Sequence, residues 1–192
     1  KRKSQISAKL SEICKEMYPY TPIINNETIN NDYVTTVAIN SRSRLISGLL
    51  ENQLSPNLGL TGTSQDVSFM RSTLIQTGIL KNVEDEPVLT LTPDNENMTR
   101  VLGEIREFFL SSSNKGKNFQ ELYDRLRKPE YGYGIKKGVI PIFIAVVLHF
   151  IKKYLVIKNG DEEVRITADL LNSINENPKD YYAYMEEWSE EK

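Results

Sequence analysis

His149 and Cys14 are the only histidine and the only cysteine among 192 residues. A zinc site draws on several such ligands, and a Cys-His nucleophile needs the two held side by side, so the sequence indicates neither. His149 stands among Val147, Leu148, Phe150 and Ile151, a setting that predicts a core residue with one hydrogen bond. Carboxylates are plentiful, but none pairs inside an apolar run that would raise its pKa. Glu27, in an Asn-rich loop, is the first to inspect, and it is expected to be a solvated or helix-capping carboxylate. Glycine-rich phosphate motifs fail as well. Gly132-Tyr133-Gly134-Ile135-Lys136-Lys137-Gly138 is GxGxxxG, with no strand leading into it. At Gly116-Lys117 the position of the first Walker glycine holds Ser111, and Asn118 follows instead of Ser or Thr. The glycines at 132, 134 and 138 are expected to shape a tight turn and to let a helix approach its neighbour closely. No cofactor and no metal is implied.

Charge comes next. The formal net charge is −2, so no global field announces nucleic acid or a membrane. The charge is uneven: Ile157 to Lys192 carries ten acids and four bases, a balance of −6, and the rest of the chain balances at +4. Duplex DNA, if bound, would meet the basic first 45 residues (Lys1, Arg2, Lys3, Lys9, Lys15, Arg42 and Arg44) or the Lys136-Lys137 pair. The candidate contacts are Arg42, Arg44, Lys136 and Lys137, and the plainer expectation is a solvated basic face. Near the acidic end Tyr181, Tyr182, Tyr184 and Trp188 cluster. Such a stripe docks a last helix, or Tyr181, Tyr184 and Trp188 form a partner surface.

The elements that position these groups follow from periodicity. Val139 to Leu148 contains nothing polar, and a helix apolar all round is buried. It is too short for a bilayer, which needs about 20 apolar residues. It therefore predicts a central core helix over about 135–153, His149 included. Ile6, Leu10, Ile13, Cys14 and Met17 give one face of a first helix. A second is expected from a cap at Asn30 or Asn31 to about Gln53, with Val34, Val37, Ala38, Leu45, Leu49 and Leu50 inward. A third runs from a Thr63 cap to Gly78. Then come a strand at 87–91, a helix over 93–112 and a loop over 111–117. A helix at 119–127 starts in an Asn118 capping box. A hairpin turning at Asn159-Gly160 follows the central helix, then a helix capped by Thr167 and a last one from Pro178 to Trp188. The fold class is mainly α, a helical domain whose second half is winged-helix-like and carries a small β-hairpin. The division is a helical subdomain at 1–80 and a winged-helix-like one at 81–192, or one continuous domain.

Winged-helix order invites a DNA-binding reading, in which polar residues of the third helix enter the major groove. Here that helix is the least polar segment, and the wing tip Asp161-Glu162-Glu163 would repel phosphate. Packing or protein contact is the better use of such a unit. A lone cysteine suits a reducing, cytoplasmic compartment, and the first residue, Lys1, leads us to expect a piece of a longer protein, with cleavage of a tag as the alternative.

PIINNETIN at 22–30 and YGYGIKKGVIPIFIAVVLHF at 131–150 resemble segments of very large bacterial P-loop ATPases of phage-defence and restriction-type systems, the BREX kind. The second matches their "PYG-I-x-x-G-V-I-P" stretch, with Gly132 and Gly134 around Tyr133. The resemblance covers about a quarter of the chain, and the family's nucleotide motifs have no counterpart here. It implies a helical accessory region downstream of an ATPase core, with no catalytic residue to carry over. The leading expectation is a non-catalytic module that contacts other domains or subunits of a larger assembly. The rivals are a winged-helix DNA-binding regulator and an enzyme with an unrecognised carboxylate site.

Overall fold

The computed structural model describes residues 2–186. Helix α1 is Arg2–Met17 and α2 is Thr36–Leu50. The expected cap at Asn30 or Asn31 moves to Thr35, whose hydroxyl accepts from the Ala38 amide at 3.2 Å. Asn31 instead closes a turn by accepting from the Tyr33 amide. Val37, expected inward, is exposed, while Ala38, Leu45 and Leu49 are buried. Helix α3, Gln65–Met70, continues through a π-turn at Arg71–Ile75 to Gly78, which has a φ of 81°. Strands β1, Leu80–Lys81, and β2, Val88–Leu89, then form a two-stranded antiparallel sheet.

Helix α4, Glu96–Leu110, is capped by Asn95 and buries Val101, Leu102, Ile105, Phe108 and Phe109. Strand β3, Lys117–Asn118, leads directly into α5, Phe119–Arg127, which Asn118 caps through the Gln120 amide. Helix α6, Ile140–Ile151, starts five residues later than expected. Pro141 fits its first turn, but residues 133–138 bond to other segments and are not free to wind onto it. Val139 to Leu148 is buried throughout. The last turn emerges: His149 is half-buried, its Nδ1 2.8 Å from the Leu49 carbonyl, and Phe150 is 43% exposed.

Strands β4, Leu155–Asn159, and β5, Glu162–Val164, make the expected hairpin around Gly160. Thr167 caps α7, Ala168–Glu176, as its position predicts. The expected last helix is a strand instead, β6, Tyr181–Met185. Its aromatic-rich sequence suits a pleated surface, and pairing with both β3 and β4 satisfies its backbone on either side. The four-stranded sheet has the order β3-β6-β4-β5.

The chain is therefore mainly α, with two small antiparallel sheets among the described residues. Helix α6 is the centre, in contact with α2, α4 and α7. One cluster of buried side chains runs from Ile24 to Ala183, so residues on both sides of position 80 share it. Among the described residues, no helix is long and apolar enough to cross a membrane. Helix α1 stands apart from the core, with no buried residue along its length.

Candidate functional site

The most deliberate construction on the molecule is the meeting of segments 18–34 and 127–138. Gly138 brings them together. Its amide donates to the Asn31 carbonyl at 2.9 Å, and a Cβ on it would stand 2.0 Å from the Ile29 carbonyl oxygen. Asp32 sits at the crossing: its Oδ1 accepts from Arg127 at 2.8 Å and from the Lys137 amide at 3.1 Å. Arg127 also donates to the Ile135 carbonyl at 3.0 Å. The Arg127 bond above all, and the Lys137 amide with it, holds the Asp32 carboxyl below the usual carboxylate range despite partial burial.

On one side of this crossing, Tyr18 and Tyr20 lie close against glycine backbone. A Cβ at Gly134 would stand 2.5 Å from the Tyr18 ring, and one at Gly132 2.9 Å from the Tyr20 ring. Both glycines have positive φ, 56° and 84°, so no other residue type suits either position. Arg100 stacks over Tyr20 at 4.7 Å, and the Tyr133 hydroxyl donates to Glu104 at 3.0 Å. Burial and that donation push the Tyr133 hydroxyl up to about 12. Arg125 donates to the same Glu104 and covers Tyr131.

The result is an open cleft of about 680 Å³ between the end of α1, Tyr18 to Ile23 and Gly134 to Lys136. Pro19, Pro22, Ile23 and Ile135 give it apolar walls; Lys15, Lys136 and the Asp32–Arg127 pair give it a polar floor and rim. The cleft can hold an apolar segment beside charge. Cys14 lines it as an exposed residue of α1, and His149 lies elsewhere, engaged with Leu49. Among the described residues, no three metal-ligating side chains gather.

The residues singled out from sequence are scattered. Arg42 is 2% exposed, its guanidinium donating to the Gly138 carbonyl at 3.0 Å and to Asn172 at 2.8 Å. Burial lowers its pKa to about 10. An arginine locked inside the fold cannot meet a phosphate. Arg44, half exposed, is tied to Asp66 at 2.9 Å and to Ser41. Lys136 is exposed on the cleft rim, whereas Lys137 faces a second hollow with Arg42 and Asn172. Lys1 lies outside the described residues, and Arg2 and Lys3 are exposed on α1. Tyr181 and Tyr184 do not form one stripe. In a helix, i and i+3 share a face; in β6 they point to opposite faces. Tyr184 packs on Gly116, with Lys158 over its ring at 5.0 Å. Trp188 lies outside the described residues. Glu27 is exposed in its loop.

Asp32, Arg127, Tyr18 and Tyr20 carried no signal in the sequence, since loop residues of these types are common. Gly132, Gly134 and Gly138 did carry one, and the close approach they imply is present.

Acid should loosen this crossing. A carboxyl with a lowered folded pKa contributes stability above its unfolded value, near 3.8, and loses that contribution as pH falls through the lower folded value. Thermal melts from neutral pH to about pH 2 should show Asp32→Asn less stable than wild type at neutral pH, with the gap closing in acid. A gap that stays constant across the range would show that the Arg127–Asp32 tie does not contribute to stability.

No family model, curated protein or solved structure matches the chain.

Proposed function

We propose that this chain is a non-catalytic interaction module, a mainly helical unit of a larger cytoplasmic assembly in which α1 is the docking element. One observation carries this reading: Ile6, Leu10, Ile13 and Met17 lie on one face of α1 and are 58%, 56%, 43% and 43% exposed. A helix of 16 residues that buries nothing is marginal in water, and proteins stabilise such helices by packing an apolar face. The resemblance to accessory regions of phage-defence ATPases supplies a candidate parent. The two segments that carry it meet where Gly138 lies against the Ile29 carbonyl oxygen.

We read the second half as winged-helix-like. In support, β3 falls between α4 and α5 and shares a sheet with the β4–β5 hairpin, although β6 is inserted between them. That order favours DNA binding as a second reading. Against it, α6 has no free polar face from Val139 to Leu148, and Asp161, Glu162 and Glu163 stand exposed at the wing tip. Phosphate contacts make duplex affinity fall steeply with salt. We expect weak, non-selective duplex binding that disappears near physiological salt and is insensitive to Lys136→Ala/Lys137→Ala. Sequence-selective binding that survives such salt and is lost in that variant would establish the regulator instead.

The reading itself is tested by removing the stripe. At a concentration where the chain is monomeric, Ile6→Ser/Leu10→Ser/Ile13→Ser should leave its melting temperature unchanged, because none of the three is in the core. In the full-length parent it should abolish co-purification with the other members of its assembly. A variant chain that melts lower, or a parent that assembles normally, would contradict the assignment.

A further inference from the structure

We propose that α1 pairs, antiparallel, with α1 of a second copy of this chain; the proposal rests on the reading of α1 as a docking element. Ile6, Leu10, Ile13 and Met17 are spaced four, three and four, the a/d repeat of a two-stranded coiled coil, with Ile6 and Ile13 at d and Leu10 and Met17 at a. The flanking g positions are Lys9 and Glu16.

These two charges choose both the occupant and the direction. In an antiparallel pair, Leu10 packs opposite Ile13 of the second copy and Ile6 opposite its Met17. Lys9 then faces Glu16 of the second copy, and the two-fold axis repeats that contact, so one stripe and its charges complement themselves. In a parallel pair, Lys9 would face Cys14, no ion pair would form, and Lys3, at the preceding a position, would meet its own copy. Within the chain, Lys9 and Glu16 have no ion-pair partner among the described residues, so both charges are available. Both are exposed, as is every described residue of α1.

Sedimentation velocity of the whole chain over a concentration series tests this. Wild type should move from monomer to dimer as concentration rises. Leu10→Asp should remain monomeric, with the melting temperature of the dilute, monomeric wild type. Lys9→Glu alone and Glu16→Lys alone each place like charges opposite each other twice, and each should weaken dimerisation roughly tenfold. The double exchange Lys9→Glu/Glu16→Lys should restore it. A dimer that survives Leu10→Asp, or a double exchange no better than either single change, overturns the pairing. A wild type that is monomeric at its highest soluble concentration overturns it too, while the docking reading then stands or falls on whether the stripe variant blocks assembly of the parent.

Discussion

Gly138→Ala should destabilise the chain by about 1–3 kcal/mol or more, as overpacking at a rigid contact does. The added methyl would meet the Ile29 carbonyl oxygen at 2.0 Å and the Asn31 carbonyl oxygen at 2.7 Å. Both are backbone atoms, so no side-chain rotation relieves the clash. Segment 29–32 must separate from 134–138, and the bonds from the Gly138 amide to Asn31 and from Arg42 to the Gly138 carbonyl stretch with it. That would leave a buried guanidinium short of a partner, which compounds the loss. Gly103→Ala is the matched control. Gly103 lies within α4 with nothing within 4 Å of its added Cβ, so alanine there should stabilise by about 0.5–1 kcal/mol through helix propensity. Urea unfolding of the two variants should show opposite signs. Equal or same-sign changes would mean that the two segments do not meet as described.

Leu148→Ala should cost about 2–5 kcal/mol, from lost transfer free energy and the cavity left behind. Leu148 is fully buried in α6, the helix on which α2, α4 and α7 converge, so no single neighbour can move to fill the space. For a domain of this size, the melting temperature should fall by roughly 5–20 °C. Two positions later, Phe150 is 43% exposed where α6 leaves the core, and Phe150→Ala should cost under about 1 kcal/mol despite its larger side chain. If scanning calorimetry ranks the two the other way, α6 does not sit in the core as described.

The all-apolar run of α6, the Thr167 cap and the Asn159-Gly160 hairpin could be read from local sequence because local chemistry decides them. Residues 181–185 could not. Helical spacing of Tyr181 and Tyr184 fits an amphipathic helix, and only the backbone edges offered by β3 and β4, more than twenty residues away, make them a strand. Arg42 illustrates the same limit at the level of one side chain. Its neighbours in sequence place it in a basic stretch, yet the turn of α2 points it at Gly138 and Asn172, and it becomes a core hydrogen-bond donor. The Asp32–Arg127 tie joins residues far apart in the chain, and no local pattern announces it. The apolar face of α1 was legible as a helix face, but periodicity cannot tell a buried face from an unpartnered one.

That α1 is the working surface is tested most directly by a photo-cross-linking amino acid placed at Leu10 of this chain, with the same group at exposed Glu84 as reference. Cross-links from Leu10, mapped by mass spectrometry to one defined segment, are expected, with Glu84 at background. Cross-linking from Leu10 no stronger or more localised than from Glu84 would contradict it.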